Sequence, residues 1–139
     1  MTRAVPSNAP FRLRLDARSG VPVYRQIMDQ VLGAIASARL VDRDQLPTVR
    51  QLAVDLSINP NTVIRAYREL EIRGFLDTQQ GSGTFITTQP VVQDDEERRR
   101  KLDLIVSESI SRAGADGFTA KQVLDRLKEM LAEQKVKRS

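Results

Sequence analysis

The chain has 139 residues, with 22 lysines and arginines against 18 aspartates and glutamates, for a formal net charge of +4. It contains no cysteine and no histidine, which removes disulfides, thiolate nucleophiles, most transition-metal sites and most nucleophile–base pairs, so neither an enzyme nor a cofactor or metal site is expected. No apolar run approaches the ~18 residues that span a bilayer, and residues 1–10 have no signal-like apolar stretch, so the expectation is a cytoplasmic protein with no membrane partner. The charge is unevenly composed. All eleven basic residues of positions 1–90 are arginines, against eight acidic residues, and the lysines all fall after position 100. Arginine suits bidentate contact with phosphate and guanine, although an arginine-rich codon bias would leave the same trace.

Residues 1–20 read as an arm, in which the alternation Phe11, Leu13, Leu15 against arginines predicts a short, half-buried edge strand. Pro22, in the favourable N1 position, opens a helix whose apolar face is Tyr24, Ile27, Val31 and Ile35, widened by Met28, Leu32 and Ala34. Leu40 to Gln45 reads as a loop, closed by Leu46-Pro47. Thr48 with Gln51 has capping-box spacing and starts a short helix burying Val49, Leu52, Ala53 and Leu56. Asn59-Pro60 is the sharpest local signal, a strong N-cap followed by a proline at N1. The helix it starts buries Val63, Ala66, Tyr67 and Leu70, leaves Asn61, Thr62, Ile64, Arg65 and Arg68 toward the other side, and stops at Gly74.

Phe75–Gln79 and Thr84–Thr88 read as two strands joined by the hairpin loop Gln80-Gly81-Ser82-Gly83. A charge run from Asp94 to Lys101 then begins a helix to Ala113, with Leu102, Ile105, Ser109 or Ile110, and Ala113 as its apolar stripe. Gly114 to Gly117 is a turn. Thr119 with Gln122 repeats the capping box, with Phe118 and Val123 placed for a staple. The last helix is expected to bury Val123, Leu124, Leu127, Met130 and Leu131.

The expected fold is therefore α+β, mostly α: a winged helix-turn-helix over residues 11–90, followed by a two-helix region over 91–139. Such a unit presents the first turn of its third helix to the major groove. Here that turn carries Asn59, Asn61 and Thr62, whose side chains match base edges, while the helix N-terminus suits phosphate. Thr48, Arg50, Arg65 and Arg68 would flank the groove. The loop Gly81, Ser82, Gly83 has little bulk and could approach the neighbouring minor groove or phosphates. Plainer roles stand beside these: Thr48 and Asn59 as caps, Tyr67 as core, Arg68 and the 94–101 run as solvated helix faces.

These blocks together resemble the GntR family of bacterial transcription regulators. The similarity runs through Pro22-Val23-Tyr24-Arg25-Gln26-Ile27, Leu46-Pro47-Thr48-Val49-Arg50-Gln51-Leu52-Ala53, Asn61-Thr62-Val63 with Ala66-Tyr67-Arg68-Glu69-Leu70-Glu71 and Gly74, and Gly81-Ser82-Gly83-Thr84-Phe85-Ile86. Asn59-Pro60-Asn61-Thr62-Val63 with a short C-terminal appendage is similar to the YtrA-type subfamily. The resemblance implies DNA contacts from Arg50, from Asn59, Asn61 and Thr62, and from Gly81. It also implies dimerisation through the two C-terminal helices and repression of operons encoding ABC transporters. The chain departs from the family pattern at five places. Pro60 and Ile64 stand where many relatives have arginine, Ala38 and Asp42-Arg43 where they have Gly and Pro-Gly, and Ser57 where they have a turn glycine.

The expected function is sequence-specific binding of a palindromic double-stranded DNA operator by a homodimeric repressor, paired through Leu102, Ile105, Leu124, Leu127 and Leu131. A winged-helix protein-interaction module and a non-specific architectural DNA binder remain open alternatives at this point. An unidentified small-molecule effector would have to bind at the dimer interface or between the two regions, against Leu104, Ile105, Phe118 and Val123, because residues 91–139 are too few to enclose a pocket alone. Packed core with no effector is the competing reading of those four residues.

Overall fold

The computed structural model describes residues 11–88 and 95–138, which fall into two compact units, within residues 1–89 and 90–139 respectively. The first unit contains α1 (Val23–Ala36), β1 (Gln45–Leu46), α2 (Val49–Leu56), α3 (Pro60–Ile72), β2 (Leu76–Gln79) and β3 (Gly83–Ile86). The second contains α4 (Asp95–Ala115) and α5 (Ala120–Arg138).

Helical spacing sets the core of the first unit. Ile27, Met28, Val31 and Ala34 of α1 and Val63, Ala66, Tyr67 and Leu70 of α3 are buried against each other and against Leu52 and Ala53 of α2. Pro22 is the N-cap residue of α1 rather than its first helical residue. The sheet closes the other side of the core with Leu46, Leu76 and Ile86. Its strand order is β1-β3-β2, all antiparallel. Leu40 is also buried, and Gln45 belongs to β1, so the span read as a plain loop supplies both a core residue and a third strand. Backbone bonds from Arg43 N–H to Ile86 O and from Ile86 N–H to Asp44 O, both 2.8 Å, carry the pairing past the end of β1.

The arm from Phe11 to Leu15 is not a strand, although its alternation is real: Phe11 is buried, Leu13 and Leu15 are half-buried, and Arg12 and Arg14 are exposed. Side chains of α1 replace the missing neighbour strand. Gln30 accepts from Arg14 N–H at 2.9 Å and donates to Arg14 O at 2.6 Å; Gln26 does the same for Asp16, at 2.8 and 2.9 Å. One helical turn advances ~6 Å and two extended residues ~6.6 Å, so amides four apart on a helix match backbone groups two apart on an extended chain.

Helices α1, α2, α3 and α4 end alike, on a residue in the left-handed region followed by a bond back to a carbonyl five residues earlier. The bonds are Arg39 to Ala34 at 2.8 Å, Ile58 to Ala53 at 3.0 Å, Phe75 to Leu70 at 2.9 Å and Phe118 to Ala113 at 2.9 Å. Gly74 and Gly117 take the left-handed position after α3 and α4, but Ala38 (φ 63°) and Ser57 (φ 57°) take it after α1 and α2, and Arg43 (φ 76°) does so before β1. The three non-glycine residues stand at the positions where the family pattern has glycine. A side chain in this region costs ~1–2 kcal/mol, partly offset by the ~0.4–1 kcal/mol that glycine loses in unfolded-state entropy. Ala38→Gly and Ser57→Gly are each expected to stabilise the protein by about 0.5 kcal/mol or more, read as a higher urea midpoint at unchanged slope.

In the second unit, Thr119 and Gln122 form the expected capping box, with Gln122 N–H to Thr119 Oγ1 at 3.1 Å and Thr119 N–H to Gln122 Oε1 at 2.8 Å. Glu97–Lys101, Lys121–Asp125 and Arg126 with Glu129 and Glu133 pair along the exposed surfaces. Helix α4 continues through Gly114 and Ala115, so the turn expected over Gly114 to Gly117 is shorter than its spacing suggests. The apolar stripes are not a buried face within one chain. Leu102, Ile105, Leu124, Leu127 and Leu131 are 47–59% exposed, and Val123 and Ala113 are only half-buried. Two helices offer each other one line of contact, and these stripes are wider than that line. No described helix is long and apolar enough to cross a membrane.

Candidate nucleic-acid interface

Two caps define the helix-turn-helix. Thr48 Oγ1 accepts from Gln51 N–H at 3.1 Å, and Gln51 Oε1 returns to Thr48 N–H at 3.2 Å. Asn59 Oδ1 accepts from Asn61 N–H at 2.8 Å, with Pro60 at N1. Ser57 in its left-handed conformation turns the chain between the two helices. Thr48 and Asn59 are thus engaged by their own helices, whereas Asn61 is exposed in the first turn of α3 with Thr62 half-exposed beside it.

Helical geometry places Asn61, Arg65 and Arg68 on one stripe, at i, i+4 and i+7, and all three are exposed. Arg50, the second residue of α2, is exposed as well. Arg65 has a partner that periodicity did not reveal: its guanidinium lies over the Tyr24 ring of α1, 3.8 Å from the centroid. That stack holds Arg65 against α1 while leaving it on the exposed stripe.

Tyr67 is core, as its spacing implied, and its hydroxyl donates to Pro47 O at 2.8 Å. Burial raises its pKa well above the ordinary phenol value, so it stays a protonated donor. The bond ties the middle of α3 to the residue before the α2 cap and so fixes the angle between the two helices. Tyr67→Phe leaves the Pro47 carbonyl without this donor and is expected to cost about 0.5–1.5 kcal/mol of stability, measurable by urea unfolding.

The wing is the β2–β3 hairpin. Its tip is Gln80-Gly81-Ser82, because Gly83 belongs to β3 and pairs with Gln79. Gly81 has φ 82° and open space where a Cβ would stand. Ser82 N–H closes the turn on Gln79 O at 2.9 Å. Gln45 reaches from β1 to the tip: its Nε2 donates to Ser82 O at 3.1 Å. Neither Gln45 nor Tyr24 has a local signature, because each acts on a residue more than thirty positions away.

Residues 23–86 match the family model described as bacterial regulatory proteins, gntR family. The HTH-type transcriptional regulator YhcF of Bacillus subtilis is 35% identical over 112 residues, covering 80% of this chain and 91% of that protein. The chain belongs to the GntR family. A second B. subtilis relative, the HTH-type transcriptional repressor YtrA, is 32% identical over 123 residues, covering 88% of this chain and 95% of its own. Among solved structures, YtrA from Sulfolobus acidocaldarius, a GntR-family transcription factor, superposes with a TM-score of 0.55 at 30% identity, covering 71% of this chain and 97% of that one. This GntR-family regulator therefore carries a winged helix-turn-helix DNA-binding domain followed by C-terminal helices, similar to the YtrA proteins.

Proposed function

We propose that this GntR-family protein is a repressor, not an enzyme, and that it binds a two-fold symmetric operator as a homodimer. The observation that carries the reading is the exposed stripe Asn61–Arg65–Arg68 on α3, in the same unit as a wing whose tip has open space at Gly81. Asn61 is the residue suited to a two-bond contact with adenine, since the side-chain oxygen of Asn59 already accepts from the helix. Thr62 offers a hydroxyl and a methyl to the neighbouring base. Arg50 reads a base edge or phosphate, Arg65 and Arg68 hold phosphates, and Gly81, Ser82 and Gly83 bring wing backbone to the next groove. Thr48 contributes chiefly through its cap, which holds Arg50 in the first turn of α2.

The apolar residues of α4 and α5 support the dimer. Leu102, Ile105, Leu124, Leu127 and Leu131 stay exposed in a single chain, and a second copy would cover them. Repression takes its support from similarity to a protein named as a repressor. The YtrA-type resemblance points to a transporter operon as the target. An effector, where one operates, would bind among Leu104, Ile105, Phe118 and Val123 at the dimer interface and favour one spacing of the recognition helices.

Selection of bound duplexes from a random-sequence pool tests the reading. The expected product is a palindrome with half-sites about 34 Å apart, or a multiple of that distance. Recovery of no common sequence would leave a non-specific binder, and recovery of no DNA would favour a protein-interaction module.

A further inference from the structure

We propose that Gln45 is a positioning residue for DNA binding, setting the wing tip against the nucleic acid from outside the hairpin. The proposal rests on the wing meeting DNA. Gln45 is directly opposite Phe85 in the β1–β3 register. Side chains alternate between faces, so Phe85 and Gly83 share the face that Gln45 occupies, and Gly83 is its diagonal neighbour toward the tip. Gly83 presents no side chain there. The Gln45 amide lies in the space that a Cβ at 83 would take, and a Cβ built on Gly83 would collide with Gln45 Nε2. From that position Nε2 donates to Ser82 O at 3.1 Å.

The consequence is mechanical. Two-stranded hairpins are marginal by themselves, and a tip of glycine and serine has many conformations of similar energy. The turn bond from Ser82 N–H to Gln79 O fixes one peptide of the tip. The Gln45 amide fixes the next one, between Ser82 and Gly83. With both pinned, the tip is ordered before DNA arrives, and the entropy of ordering it is not charged against binding. Glycine at 83 is needed on two counts: its φ of 128° disfavours any side chain, and its bare face admits the glutamine.

The test uses the full-length protein and a duplex selected from a random pool by the wild type. Gln45→Met keeps length and volume, adds no charge and removes the donor. Gly81→Asp puts a negative charge at the tip without touching the Gln45 contact, and aspartate tolerates the left-handed conformation. Affinities are measured by fluorescence anisotropy well below the unfolding midpoint, with folding checked by circular dichroism. Gly81→Asp should weaken binding. Gln45→Met should weaken it by about three- to tenfold per copy, the worth of one hydrogen bond in each, on selected and scrambled duplexes alike. In the Gly81→Asp background, Gln45→Met should add less than about twofold. A general loss of fold would instead carry through that background unchanged and would overturn the proposal. Full affinity of Gln45→Met beside a weakened Gly81→Asp would overturn it alone. Full affinity of Gly81→Asp would take the wing off the DNA and overturn both.

Discussion

If the proposed dimer forms, Leu127→Asp is expected to convert it to a monomer at micromolar concentration and to abolish tight operator binding. Leu127 is 53% exposed within one chain, on the same side of α5 as Leu124 and Leu131. Covering a leucine contributes ~1.5–3 kcal/mol, and two-fold symmetry doubles the loss because each copy presents the same residue. A buried, unpaired carboxylate in each copy adds a desolvation cost. Together these weaken the dimer by about a thousandfold or more. DNA affinity falls with it, because a monomer forfeits the effective concentration that delivers the second recognition helix to its half-site. Val136→Asp is the control. It lies on the opposite side of α5, is already 74% exposed, and should leave sedimentation and binding unchanged.

Substitutions on the recognition helix should separate specificity from affinity. Asn61→Ala is expected to relax the preference at one base pair per half-site by ~1–3 kcal/mol, counted twice in a dimer, with little change on scrambled DNA. Arg50→Ala should cost a similar amount where it meets a base edge. Arg68→Ala should weaken all duplexes alike and reduce the salt slope by about one per copy, as loss of a phosphate contact does. Fluorescence titrations against single-base variants of the selected operator read both effects. Equal losses for Asn61→Ala on operator and scrambled duplex would remove it from the base-reading set.

What could be read from sequence divides along physical lines. Thr48 with Gln51, Asn59-Pro60 and Thr119 with Gln122 were legible because a cap is a bond between residues two or three apart, and the structure forms all three. The buried stripes of α1 and α3 were legible because helical period repeats within one segment. β1 was not, since a two-residue strand has no period and its partner, β3, lies about forty positions on. The arm was half legible. Its alternation is present, but Gln26 and Gln30 take the place of a strand partner. The left-handed geometry at Ala38, Arg43 and Ser57 could be read only as a departure from a family pattern, because alanine, arginine and serine give no hint of it. In the second unit the spacing marks the apolar faces of α4 and α5, which are exposed in a single chain, because spacing marks a face and does not say what covers it.

Sequence-specific recognition of duplex DNA can be measured in a salt series on two duplexes. Wild-type protein is titrated against its selected operator and a scrambled duplex of equal length at several salt concentrations. Affinity should fall linearly on a log–log plot for both, with the operator bound at least ~10³-fold more tightly at physiological salt. Equal affinity for the two duplexes, or a flat response to salt, would contradict it.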